Sequence, residues 1–283
     1  LPAAPKPANV VITGLGGSAI GGDLAASLAA VGGDVPVIVN RDYDLPGFVG
    51  PGTLVIASSY SGNTEETLAA YARARAAGCP IACVTSGGEL ARMAEADGVP
   101  VCRVPEGRPP RASTGYLFVP TLGVLAAHVP LADSCSPGAV AHALPLLESC
   151  SSRWGRGVPL ADNPAKQLAL RLHSRIPIIY GTKGYRGVLA VRWKGQLNEN
   201  AKAHAFANVL PEQNHNEILG WDQALTQAQN WSVVYLRDPA EVAESPRIVR
   251  RVEVLKTVIG NRADQVDVWA EGTGLMERLL SLL

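Results

Sequence analysis

The chain has 283 residues, 47% hydrophobic and 18% charged, an ordinary globular composition with room for two cores. Lys plus Arg and Asp plus Glu number 25 each and aromatics make up 5%, which argues against nucleic acid or an anionic membrane surface as partner. The opening Leu1-Pro2-Ala3-Ala4-Pro5-Lys6-Pro7 has no apolar core before a small-residue cleavage site, so no signal peptide is expected. The longest apolar run, residues 116–130, contains Pro120 and His128 and is too short to span a bilayer.

In chain order, the first half alternates with a regular beat. Apolar, strand-like runs fall at 10–13, 35–39, 54–57, 81–85 and 99–104. Helical patterns lie between them: Ile20, Leu24 and Leu28, then Leu68, Tyr71 and Ala72, then 89–96, and a closing helix over 114–128. Asn63 with Glu66 reads as a capping box, and Gly78 with Pro80 ends the helix that it opens. Strands alternating with helices imply an α/β fold with a parallel sheet covered on both faces. Residues 130–164 are looser, with one helical stretch at 139–149. A second α/β unit then has strands at 176–180, 233–236 and 266–269, and a helix over 185–202 with Val188, Val191 and Leu197 inward. These patterns divide the chain into 1–133, a connection at 134–159, and 160–283.

The five cysteines are Cys79, Cys83, Cys102, Cys135 and Cys150, and no two form C-x-x-C. Cys83 and Cys102 fall in apolar runs and read as small core residues, so a reduced, cytoplasmic chain without structural metal is expected. Histidines with H-E-x-x-H or H-x₃-H spacing are absent from the sequence.

The chemistry concentrates in two loops of the first half. Ser58-Ser59-Tyr60-Ser61-Gly62-Asn63-Thr64 follows a buried strand and opens a helix, whose N-terminus offers unpaired N–H groups and a positive dipole end. Ser59, Ser61 and Thr64 add neutral donors there, a chemistry suited to the phosphate of a small molecule. A helix cap alone would need one hydroxyl. Gly14-Leu15-Gly16-Gly17-Ser18-Ala19 matches the dinucleotide pattern G-x-G-x-x-A. However, the second strand ends Val39-Asn40-Arg41, with Asp42 one place late for a ribose, and the Ser/Thr loop would go unexplained. A sugar phosphate accounts for both loops, with the sugar against the bare backbone of Gly16 and Gly17. Arg111, between two prolines and a helix start, can stabilise an oxyanion or simply lie on the surface. Glu199 and His215 supply the carboxylate and imidazole that proton shuttling requires, and by spacing alone His173 and His204 compete with His215.

Together, Gly14 through Asp23, Ser59 through Glu66, Pro110-Arg111-Ala112, Asn198-Glu199-Asn200-Ala201-Lys202 and Glu212 through Glu217 resemble the bifunctional phosphoglucose/phosphomannose isomerases. The resemblance implies two sugar isomerase (SIS) domains, no cofactor and no metal. It also implies interconversion of glucose 6-phosphate or mannose 6-phosphate with fructose 6-phosphate by a homodimer whose site is shared between subunits. Carried over by motif, Ser18, Ser59, Ser61 and Thr64 would hold phosphate, and Glu199 would move the proton between C1 and C2. His215, from the neighbouring subunit, would open the ring, and Arg111 would stabilise the enediolate. Family members continue past the last helix into a segment bearing a Thr tied to acceptance of both C2 epimers; the residues here stop at Leu283. Two rival expectations are a non-catalytic SIS-type regulator that binds a sugar phosphate, which should lack the Glu199 motif, and an NADP-dependent oxidoreductase.

Overall fold

In the computed structural model, which describes residues 6–283, the apolar runs become the strands of two parallel sheets, each in its own compact unit. Residues 1–5, where the absence of a leader was read, lie outside the described residues. The first unit runs to Val140 and the second from Ala141.

The first unit begins β1 (Asn9–Thr13), α1 (Gly16–Ala29), β2 (Val37–Asn40), β3 (Thr53–Ser58), α2 (Glu65–Ala76) and β4 (Ile81–Thr85). It continues α3 (Gly88–Ala96), β5 (Val101–Arg103) and α4 (Thr114–His128). The sheet order is β2-β1-β3-β4-β5, all parallel. β3 and β4 are buried along their whole length, as strands covered on both faces must be. Val11, Val55, Tyr71, Cys83 and Leu90 form one core layer.

Several expectations are corrected here. The second strand starts at Val37 and the fifth at Val101, because Pro36 and Pro100 have no N–H to give a ladder. Cys102 is exposed, since β5 is a short edge strand with an uncovered face. Ala72 is exposed too, because α2 buries Thr67, Ala70, Tyr71 and Ala74 instead. The helical stretch expected at 139–149 is present and longer, α5 (Pro137–Trp154), and the division between the units falls within it.

The second unit continues with α6 (Pro164–Leu172), β6 (Ile176–Thr182) and α7 (Tyr185–Gln196), which runs into a π-helical turn, Leu197–Ala201. β7 (Phe206–Leu210), α8 (Glu217–Gly220) and β8 (Trp231–Arg237) follow. α9 (Glu241–Glu244), α10 (Pro246–Ile259), β9 (Asp264–Trp269) and α11 (Leu275–Leu282) complete it. The order β7-β6-β8-β9 is again all parallel. Ile178, Tyr180, Val233, Tyr235 and Leu255 make its core layer. Val191 is exposed rather than inward, because α7 turns Arg186, Leu189, Ala190 and Arg192 to the interior. Among the described residues no helix is long and apolar enough to cross a membrane.

Candidate functional site

The carboxyl ends of β1 and β3 lie side by side where the first sheet's connections diverge, and there the two glycine- and serine-rich loops meet. Gly14 lets them meet: a Cβ on it would stand 2.6 Å from the Ser58 carbonyl oxygen. The Tyr60 N–H donates to Ser18 Oγ at 3.3 Å and joins the loops. Ser59 is buried, its Oγ accepting from the Gly62 N–H at 3.1 Å and lying 2.9 Å from Thr64 Oγ1. Ser61 is exposed and accepts from the Asn63 N–H at 3.2 Å. The Gly16 backbone is exposed, with open space where a side chain would lie.

The expected capping box does not form. Gly62, at φ +69°, presses so closely on the next loop that a Cβ would fall 1.8 Å from the Gly87 carbonyl oxygen. That approach swings Asn63 across to α3, where its Oδ1 accepts from the Glu89 N–H at 3.0 Å. Thr64 takes the N-cap position of α2, and among the described residues no side chain caps that helix. Its first N–H groups are therefore left without a side-chain partner beside the hydroxyl-rich loop, an end that favours an anion without fixed positive charge.

Tyr60, which the sequence reading passed over, organises the surroundings. Its hydroxyl donates to the Pro105 carbonyl at 2.9 Å and accepts from the Arg108 N–H at 3.0 Å. Its carbonyl accepts from Ser86 Oγ at 2.6 Å. The segment so anchored leads into the turn Pro110–Ala112, which carries Arg111 on its exposed side. Arg41, at the end of the second strand, pairs with Asp23 of α1, and burial raises the Asp23 carboxyl against that pairing.

In the second unit Glu199 lies exposed on the π-helical turn. Asn198 fixes the turn by accepting from the Ala205 N–H at 2.9 Å, and Lys202 Nζ donates to the Glu199 carbonyl at 2.7 Å. Burial lowers the Arg192 guanidinium, and the Glu199 carboxylate pulls it back up. His215 is exposed at the end of the turn Glu212–Asn214. A hub that sequence could not show holds this loop. The Tyr180 hydroxyl donates to Glu217 Oε1 at 2.6 Å and accepts from Gln213 Nε2 and Trp221 Nε1 at 3.4 and 3.3 Å. Burial and the Glu217 carboxylate push the Tyr180 phenol upward, so it stays a donor. Glu199 precedes β7 and His215 follows it, so a strand of about 13 Å separates the ends from which they depart. An apolar cavity of 420 Å³ between Trp154, Leu168, Trp193 and Leu282 contains none of these residues. Among the described residues no cluster of His, Cys, Asp or Glu could hold a metal.

Two parallel α/β units, with glycine- and hydroxyl-rich loops at the divergence point of the first, define a fold shared with phosphosugar-isomerase structures. A putative phosphosugar isomerase from Salmonella typhimurium LT2 superposes with a TM-score of 0.69 at 16% identity, covering 98% of this chain and 83% of that one. Residues 161–283 match the bacterial phospho-glucose isomerase C-terminal SIS domain. The bifunctional phosphoglucose/phosphomannose isomerase of Caldicellulosiruptor bescii is 42% identical over 279 residues, 97% of this chain and 80% of that protein. The Thermoplasma acidophilum protein of the same name is 33% identical over 279 residues, 97% of this chain and 79% of that protein. The chain belongs to the bifunctional phosphoglucose/phosphomannose isomerase family.

Proposed function

We propose that the chain interconverts glucose 6-phosphate and mannose 6-phosphate with fructose 6-phosphate, as a cytoplasmic homodimer of double-SIS subunits (domains 1–133 and 160–283) without cofactor or metal. Family membership makes it an isomerase, an intramolecular oxidoreductase. The observation that carries the substrate class is the gathering of Ser18, Ser59 and Thr64 at the uncapped start of α2. Ser61 joins them at the loop's exposed rim, and Gly16 and Gly17 leave backbone bare for the sugar.

In this reading His215 opens the ring by moving a proton from the C1 hydroxyl to the ring oxygen. Glu199 then takes the C2 proton of the open aldose. The electrons of that C–H bond form the C1–C2 double bond, and the C1 carbonyl becomes the oxygen of an enediolate, beside which Arg111 holds its charge. Return of the proton to C1, with the O2 proton passing to O1, leaves the ketose. The shared site is supported by topology, since β7 stands between the loops of Glu199 and His215 in one chain. The Glu199 motif supports catalysis over a regulatory role.

The test is Glu199→Gln, assayed with each aldose 6-phosphate and for exchange of the C2 proton with solvent deuterium. kcat is expected to fall by about 10²–10⁴, with KM little changed and exchange lost in parallel. Wild-type exchange in the variant would mean that another group is the base.

A further inference from the structure

The two sheets repeat one order: β6 takes the place of β1, β7 of β2, β8 of β3 and β9 of β4. The residue directly after β3 is Ser59, and the residue directly after β8 is Asp238. Where the first unit has hydroxyls and bare glycine backbone, the second has a fully buried carboxylate. One oxygen of Asp238 accepts from the Tyr185 hydroxyl at 2.5 Å and lies 2.9 Å from Arg186 Nη1. The other accepts from the Ala240 N–H at 2.8 Å and lies 2.8 Å from Arg278 Nε. Tyr185, Arg186 and Arg278 are each only 7% exposed. A phenol and a backbone N–H that donate, with two buried guanidiniums that pair by charge, converge on one carboxylate and make the surroundings of an oxyanion site. Buried cations of this kind require a negative partner. Glu244, 3.6 Å from Arg278, is largely exposed and gives little compensation. Burial raises the Asp238 carboxyl, but Tyr185, the Ala240 N–H and the two arginines outweigh it and hold it below its ordinary value.

We infer that Asp238 is a tethered anion filling a second oxyanion cradle, so that the second unit supplies from its own chain the charge that the first unit takes from a ligand. The comparison rests on the reading of the Ser59 loop, whereas the cradle itself does not. Asp238→Ala in the full chain removes the tethered charge and leaves space for a small free anion. Its thermal unfolding is measured in formate, in inorganic phosphate and in chloride at equal ionic strength, beside wild type and Asp238→Asn, whose amide still fills the space. Formate or phosphate is expected to raise the Asp238→Ala midpoint by about 5 °C over chloride, beyond any shift in the other two proteins. If the variant does not fold in chloride, recovery of its circular dichroism on refolding with formate or phosphate supports the cradle. Equal midpoints in all three salts, or no recovery with either anion, overturns it. If only the Ser59 reading fails, phosphate leaves wild type unmoved while Asp238→Ala still responds to formate.

Discussion

Tyr60 shows how one side chain can set the position of several proposed site residues. Its main chain is bonded to Ser18 and Ser86, and its hydroxyl to the segment that leads to Arg111. Tyr60→Phe keeps the ring and removes the hydroxyl, leaving the Pro105 carbonyl and the Arg108 N–H without it. We expect a stability loss of about 1–3 kcal/mol in denaturant titration. kcat should fall more than KM rises, because the Ser59–Thr64 loop keeps its own bonds while Arg111 loses its support. An equal fall in wild-type-like variants of Arg108's side chain would point away from Tyr60, since its bond is to the backbone. The placing of the Ser59 and Thr64 hydroxyls between a strand end and a helix start was legible because it lies in local spacing. Tyr60 was not, because its partners lie 45 and 48 residues away.

Among the elements, α2 and α3 exchange what local rules predict. Asn63 stands where it should cap α2, yet it caps α3, because the Gly62–Gly87 approach joins the two loops. Asn63→Ala should therefore cost about 1 kcal/mol, the usual worth of such a cap. Hydrogen exchange should quicken at the Glu89 amide and leave the first turn of α2 unchanged; faster exchange at α2 instead would restore the capping box. The strands β1, β3 and β4 were readable as apolar runs since both their faces are covered. β7 was missed because it is an edge strand, only partly buried, whose Phe206-Ala207-Asn208-Val209 mixes apolar and polar positions. The face of α7 was misjudged for a related reason. Arg186 and Arg192 point inward, and pattern reading assigns arginine to solvent.

At the scale of the molecule, alternation of strand and helix was enough to announce two parallel sheets, because parallel pairing demands a crossover between strands. A pairing of Glu199 with His215 was not legible from spacing and is proposed only through the resemblance. If each active site draws Glu199 from one subunit and His215 from the other, two dead proteins should revive one another. Mixing Glu199→Gln with His215→Ala protomers should yield mixed dimers with one intact site of two, and so up to about half of wild-type activity per mixed dimer and about a quarter for a randomly assembled mixture. Mass-verified subunit exchange without recovered activity would assign both residues to one chain's site.

The uncovered face of β5 has a practical consequence. Cys102 is exposed while Cys79, Cys83, Cys135 and Cys150 are buried, and burial pushes the Cys83 thiol up to about 12. A disulfide reagent at neutral pH should therefore titrate one sulfur at once and the remaining four only as the protein opens. Cys83 lies in the first unit's central sheet and Cys150 in the second unit, so their labelling rates, read by mass spectrometry of peptides, time the opening of each half separately. Equal rates would mean that the two cores come apart in one step; a faster Cys150 or a faster Cys83 would say which half yields first.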